Sequence, residues 1–504
     1  MNANLYALLE SHFPDGREEP CLLIPNGPVV HYDDLAQESA RIANALLRAG
    51  CRRGDRVAVQ VDKHWQVLPL YLACLRAGLV YLPLNIGYQK AELKYFFGDA
   101  EPRVVVCRPE GLGVVAALAR DAQVLTLDAS GGDVSERARS ESSTFETVDS
   151  RPEDLAAILY TSGTTGRSKG AMLTHRNLAS NALTLVEEWG FTHGDVLLHA
   201  LPIYHVHGLF FATHCVLLAG ARMLWLAKFD AKDVVALLPR ATVMMGVPTF
   251  YTRLLAEPTF SRECCRSTRL FMSGSAPLLP ETFAAFNARV GHGILERYGM
   301  TETGVNTSNP LHGARLPGTV GRPLPGVEVR VANGSGRDAS PGTVGGVEVK
   351  GPNVFAGYWR MPDKTREEFT DDGYFRTGDL GEWIGQGDGR HYLRLVGRAK
   401  DMVITGGLNV YPLEVEERID ALEGVEESAV IGVPDADFGE AVTAVIVPKC
   451  GHKLSEREII EALKEEIATF KVPKRVFFVT ELPRNTMGKV QKRDLRERFS
   501  LVKS

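Results

Sequence analysis

Residues Tyr160–Gly170 read YTSGTTGRSKG, and the rest of the chain can be read outward from them. Short hydroxyl side chains at Thr161, Ser162, Thr164 and Thr165 alternate with Gly163, Gly166 and Gly170, and the cations Arg167 and Lys169 close the run. Glycines let backbone N–H groups approach an anion closely, and the hydroxyls and cations complete an oxyanion cradle. The apolar run Leu155–Leu159 predicts a buried strand before it. Apolar positions at Leu178, Ala182, Leu185, Val186 and Trp189 predict a helix after it. This is the context of a phosphate loop.

Two other readings of the stretch are weighed against that one. A Walker A loop requires G-x-x-x-x-G-K-[ST]; counted from Gly163, the second glycine position holds Ser168, and Gly170 stands where Ser or Thr would bind magnesium. A plain polar surface loop is the other. The density of glycine and cation directly after a buried strand favours phosphate binding.

Composition narrows the class. A length of 504 residues suggests about three domain-sized units. The net charge of −5 argues against a nucleic-acid partner held by a broad basic surface. No apolar stretch is long enough for a membrane span, and MNANLYALLESHFPDG lacks the marks of a secretory signal. The 8 cysteines show no CxxC spacing, and adjacent Cys264 and Cys265 suit a structural disulfide poorly, so a reducing cytoplasm is expected.

Along the chain, helical patterns over Tyr32–Ala49 and Trp65–Ala77 alternate with strand patterns over Arg56–Val61, Val80–Leu84 and Arg103–Val106. Alternation of this kind predicts a mostly parallel α/β sheet. Ala129–Pro152 reads as a loop. Strands are predicted at Val196–Leu201, Met223–Leu226, Ala241–Val247 and Leu270–Met272, with an apolar helix over Leu209–Ala219. From about Pro317 short Gly/Pro-punctuated strands predict a β subdomain reaching residue 399. A small α+β domain over 400–504 is expected on a hinge at Lys400, after a large α/β domain over 1–399.

Five motifs occur in order: YTSGTTGRSKG, Tyr298-Gly-Met-Thr-Glu302, Tyr374-Phe-Arg-Thr-Gly-Asp379, Gly397-Arg398 with Lys400-Asp401, and Pro483-Arg-Asn-Thr-Met-Gly-Lys489. Together they resemble the adenylate-forming superfamily of acyl-CoA synthetases, luciferases and adenylation domains, over nearly the whole chain. The resemblance implies ATP, Mg2+ and coenzyme A as ligands, and a monomer or homodimer. It implies that Lys489 bridges the substrate carboxylate and the α-phosphate, that Glu302 binds magnesium with Thr301 on the phosphates, and that Thr161–Lys169 hold the β- and γ-phosphates. Asp379 is similar to the family's ribose acceptor, with Arg398 and Arg394 nearby. Ser275, Ala276, Pro277, Glu296, Tyr298, Gly299 and Met300 would border the adenine and acyl site. Gly406 and Gly407 would line the pantetheine tunnel once the small domain has rotated. Read from the residues alone, an Asp such as Asp379 is usually a turn residue and a lysine such as Lys489 usually a solvated surface charge; the motif order is what favours the functional reading.

The acid itself is read from Arg297 and Arg253. An arginine pair facing the acyl pocket suits a second carboxylate, because a planar guanidinium binds it bidentately and offsets its desolvation. His207 adds a donor beside His205, which is similar to the family's gating histidine, and Ser273 and Gly274 would complete the wall. GVPTFYTRLL, SGSAPL, ERYGMTET and PRNTMGKVQK resemble the malonate-activating branch of the family, which implies malonate and possible use of methylmalonate; another short, fatty or aryl acid is the alternative. Against this, Arg253 would lie on a helix surface and Arg297 would merely pair with Glu296.

Overall fold

The computed structural model describes residues 2–161, 168–333, 336–385, 390–406, 408–435, 438–485 and 488–500. The apolar run before the glycine-rich loop becomes the strand Leu155–Thr161. It lies in a six-stranded sheet, where Gln123–Thr126, Val104–Cys107, Arg56–Gln60 and Val80–Pro83 precede it in spatial order, all parallel. Strands such as Val104–Cys107 (VVVC) are buried at every position, as parallel strands covered on both faces must be. The helices Tyr32–Arg48 and Lys90–Ala100 match that requirement with their apolar stripes, while Val67–Arg76 is buried at every position.

Directly after the loop the chain does not enter the helix. It turns back as the strand Lys169–Thr174, antiparallel to Leu155–Thr161, and only then starts the helix His175–Glu188. Thr174 caps that helix by accepting from the Asn177 N–H at 3.1 Å. The two strands on either side of the glycine-rich stretch are therefore antiparallel neighbours, with Thr161 opposite Lys169. A short helix, Asp133–Arg139, also interrupts the segment expected to be a loop.

A second sheet, nine-stranded among the described residues, has a parallel centre. It runs from Pro20–Leu23 through Arg222–Trp225, Val196–His199, Val243–Gly246 and Leu270–Ser273 to Leu295–Met300, with antiparallel strands at its edges. Between two of these strands the apolar run opens with a π-helical turn, His207–Ala212, before the helix Thr213–Ala219. π-turns are rare and cluster at functional sites.

The four antiparallel strands Glu328–Ala332, Gly345–Lys350, Phe375–Gly385 and His391–Arg398 form the expected β layer. A 3-10 turn over Ala399–Asp401 leads into a last sheet, built from Val403–Thr405, Leu408–Val410, Val425–Asp435, Gly439–Pro448 and Arg475–Phe478. Its core is its own: Val430, Val442 and Ile446 pack with Ile419 and Leu463 on one face. Leu495 and Phe499 close the other. The molecule is mixed α/β, with a terminal α+β unit.

Candidate active site

The phosphate end is built where the hairpin meets Glu302. Thr161 lies opposite Lys169 in the hairpin register. Its Oγ1 donates to Glu302 Oε1 at 3.3 Å, and the Tyr358 hydroxyl donates to the same oxygen at 3.1 Å. Glu302 is 6% exposed, and burial raises its pKa. Lys169 contacts Glu368 at 3.3 Å and stands 4.2 Å from the centre of the Tyr358 ring. Tyr358 and Glu368 have no sequence motif of their own; only the packing reveals them. Ser162, Gly163, Thr164, Thr165 and Gly166 lie outside the described residues. Thr301 borders a small cavity with Phe211, Asn181 and Asn353.

Across a strand pair, Asp379 faces Arg398 in register, and the two close an ion pair at 2.6 Å. The Tyr298 hydroxyl donates to the other Asp379 oxygen at 2.5 Å. Burial, the largest single effect, would lower the Arg398 pKa, but Asp379 together with Tyr298, Glu302 and Asp401 outweighs it and the net direction is up. Gly299 is required by the tight hairpin beside it, since a Cβ there would fall 2.0 Å from the Gly304 carbonyl oxygen. Arg394 stands apart from this cluster, bound to Glu382 at 3.0 Å.

Lys489 comes to the same place from the terminal unit. Gly488 has φ +76 and packs on Thr249: a Cβ there would lie 3.3 Å from Thr249 Oγ1. The Lys489 N–H donates to Asn485 Oδ1 at 2.9 Å, which holds the loop shut. Lys489 as a whole residue is exposed, yet its ammonium end is crowded by surrounding protein. That crowding, followed by repulsion from Arg398, pushes its pKa down to about 8, with Asp379 opposing. Burial likewise lowers Lys400. Gly406, with φ +59, donates its N–H to the Phe438 carbonyl at 2.8 Å within the terminal sheet, and Gly407 lies outside the described residues.

The acyl end centres on Arg297, on the strand Leu295–Met300. Successive residues of a strand point to opposite faces, and Glu296 turns away to accept the Leu278 N–H at 3.0 Å. Burial raises Glu296 to about 8. The alternative in which Arg297 merely pairs with Glu296 is not what is observed. Arg297 is 3% exposed, and its Nε and Nη2 have no hydrogen-bond partner among the described residues. Burial pushes its pKa down to about 9, which leaves it charged near neutrality. Gly274 makes room for it, since a Cβ at that position would lie 2.5 Å from the guanidinium carbon. The Phe211 ring lies 5.2 Å from the guanidinium.

Two histidines stand with Arg297. His205 Nδ1 accepts the His207 N–H at 3.2 Å; burial, followed by the nearby Arg297 charge, pushes His205 down to about 4. His207 is fully buried, with Nδ1 3.3 Å from Ser275 Oγ and no partner on Nε2. Burial, followed by Arg297, holds it well below the ordinary histidine value, so the ring is neutral. Ser275 adopts φ +72, a strained backbone of the kind kept at functional sites. Ser273 Oγ is buried without a partner, and Ala276 and Pro277 follow at the surface of the turn. Arg253 does not join Arg297: it is exposed on the helix Pro248–Ala256, one turn from Thr249. The expected arginine pair in the pocket is thus corrected to one buried arginine with histidine neighbours.

Residues 18–359 match the family described as AMP-binding enzyme, and residues 414–489 match the AMP-binding enzyme C-terminal domain. The malonate–CoA ligase ACSF3, mitochondrial, of Mus musculus is 38% identical over 92% of this chain and 86% of its own. A feruloyl-CoA synthase of an Amycolatopsis species is 36% identical over 94% of each chain. Among solved structures, ATP-bound MatB from Rhodopseudomonas palustris is 54% identical, covers 99% of each chain and superposes with a TM-score of 0.96. The apo form of that protein gives 0.85. Sequence, architecture and the convergence of Glu302, Asp379, Arg398 and Lys489 agree, and the chain belongs to the AMP-binding enzyme family.

Proposed function

We propose that the protein ligates malonate to coenzyme A through a malonyl-adenylate, releasing AMP and pyrophosphate. One observation carries the substrate choice: a buried guanidinium without a partner, held beside a neutral histidine with a bare ring nitrogen. A buried charge left unpaired costs several kcal/mol, ~3 or more, and a site that tolerates it is built for a charge that arrives with the ligand. A malonate has two carboxylates. One would meet Arg297 and His207 while the other reacts.

In the first half-reaction a carboxylate oxygen attacks the α-phosphorus of ATP, and pyrophosphate departs with the electron pair. Both partners are anions, so catalysis is mainly positioning and charge neutralisation. Lys489 would stand between the carboxylate and the α-phosphate, Lys169 would hold the leaving phosphates, and Asp379 with Arg398 would hold the ribose. Glu302, flanked by Thr161, fits a divalent cation: it is a buried acid whose described partners are hydroxyls rather than a cation. Among the described residues no cluster of three metal-ligating side chains occurs, so an ion there would share phosphate oxygens, as Mg2+ commonly does. When bound, Mg2+ would offset phosphate charge. In the second half-reaction the thiol sulfur of coenzyme A attacks the acyl carbon, AMP leaves, and the thiol proton is released. Lys489 must first withdraw, which we assign to rotation about Lys400 between units 1–399 and 400–504. Gly406 and Gly407 would then reach the tunnel. The closer match to the ATP-bound than to the apo MatB structure supports reading the present arrangement as the adenylating one.

Activation of an aryl acid is the second reading, favoured by the feruloyl-CoA synthase relative. It leaves Arg297 without a partner. Among the described residues no helix is long and apolar enough to cross a membrane, and the free thiols support a cytoplasmic setting. The test is product analysis with malonate, ATP, Mg2+ and coenzyme A: malonyl-CoA and AMP in equal amounts are expected, and ADP as the nucleotide product would refute the adenylate route.

A further inference from the structure

Lys63 has no part in the site described above. It follows the strand Arg56–Gln60, and its Nζ lies 2.7 Å from His199 Nδ1 and 2.8 Å from the His199 carbonyl oxygen. The Trp225 ring centre is 4.3 Å away. Burial alone depresses this lysine well below its ordinary value, with no acid opposing it. A lysine held without a counter-ion in this way needs some other reason to be there.

The reason is legible in the hydrogen-bond directions. His199 Nε2 lies 2.9 Å from the Gly208 carbonyl oxygen, which can only accept. The proton of the imidazole therefore sits on Nε2. Burial, followed by the Lys63 charge, keeps the ring neutral, so Nδ1 has no proton and accepts from Lys63. Thr213 Oγ1 donates to the same Gly208 carbonyl at 2.9 Å. Gly208 lies in the π-helical turn that opens with His207, and it is pressed so tightly there that a Cβ would fall 2.2 Å from the Pro202 carbonyl oxygen. Two side-chain donors thus fix the second residue of a wide turn whose first residue presents a bare Nε2.

We propose that Lys63 and His199 are positioning residues for acid selectivity. Acting through the Gly208 carbonyl, they hold the π-turn in the register that aims His207 at the far carboxylate. Neither touches substrate. The proposal rests on the reading of Arg297 and His207 as the receptor for that carboxylate.

The test is steady-state kinetics on the full chain carrying Lys63→Met, and separately Thr213→Val, with malonate and butyrate as acids. Each variant removes one donor from the relay, and a net hydrogen bond corresponds to about fivefold to tenfold in an equilibrium. Each is expected to raise the malonate KM about tenfold, with kcat, the ATP KM and the butyrate KM changed less than about twofold. If malonate and butyrate lose alike, or if the ATP KM rises in step, the pair merely supports the fold and the proposal is overturned. Should Lys63→Met not yield folded protein, Thr213→Val decides by the same criteria. An unsubstituted enzyme that favours butyrate over malonate would overturn the receptor reading itself, before any variant is compared.

Discussion

Replacing Arg297 by methionine separates the cost of the empty site from its benefit when filled. Methionine keeps much of the side-chain volume, so the cavity term stays small, below about 1.5 kcal/mol. In the free protein the change removes a guanidinium that is 3% exposed and has two unpartnered N–H edges. Removing such a charge is expected to leave thermal stability unharmed or raise it by about 1–4 kcal/mol. With malonate the balance reverses. Each charge-assisted hydrogen bond contributes about 1.5–3 kcal/mol, so two N–H edges on one carboxylate give roughly 3–6 kcal/mol. Malonate kcat/KM should fall by about 10²–10⁴, the ATP KM should change less than about threefold, and butyrate should become the better acid. Pyrophosphate exchange with each acid, run beside a thermal melt, measures all of this. A malonate loss below about threefold, or an equal loss with butyrate, would refute the reasoning.

Gly274→Ala should reproduce part of that selectivity loss without touching a charge, because its Cβ would lie 2.5 Å from the Arg297 guanidinium carbon; malonate KM rising about tenfold with ATP KM unchanged checks it. Lys489→Ala should abolish adenylation while leaving thioester formation from preformed malonyl-adenylate, and equal loss of both steps would contradict the two-arrangement account. The Lys489 pKa lies near 8, below its ordinary value, and its charge is needed for adenylation, so kcat/KM for exchange should fall as pH rises through about 8. Its stability contribution has the opposite sign: a depressed lysine destabilises the fold below about 8, and that cost is relieved as pH rises toward the ordinary lysine value. In Lys489→Ala, which has no exchange activity to titrate, the stability dependence should disappear from thermal melts across that range. Glu302→Gln should raise the Mg2+ concentration giving half-maximal exchange, and an unchanged Mg2+ titration would remove Glu302 from the metal.

Much of the architecture could be read from pattern alone. Val104–Cys107 and Val80–Pro83 are short apolar runs between helices, and the β layer falls within the stretch of Gly/Pro-punctuated strands expected after Pro317. The strand Lys169–Thr174 escaped because KGAMLT has little period-two signal, and it is made a strand by its partner Leu155–Thr161. Leu209–Ala212 was read as part of an apolar helix rather than a π-turn, since apolarity does not report the side-chain donors His199 and Thr213 on the Gly208 carbonyl. The same holds at the site. Motif order located Glu302, Asp379, Arg398 and Lys489, but whether Arg297 pairs with Glu296 is a question of strand faces. That Arg253 lies outside the pocket is a question of helix phase, and neither is visible in residue identity. Tyr358, Glu368 and Lys63 carry no motif and act only through tertiary contact.

The central claim is that this AMP-binding enzyme is built around a second substrate carboxylate. ATP–pyrophosphate exchange across malonate, methylmalonate, succinate, acetate and butyrate tests it most directly. The account predicts that malonate gives the highest kcat/KM and that butyrate, similar in length but lacking the second charge, is worse by at least about two orders of magnitude. Butyrate or acetate equal to malonate would contradict it.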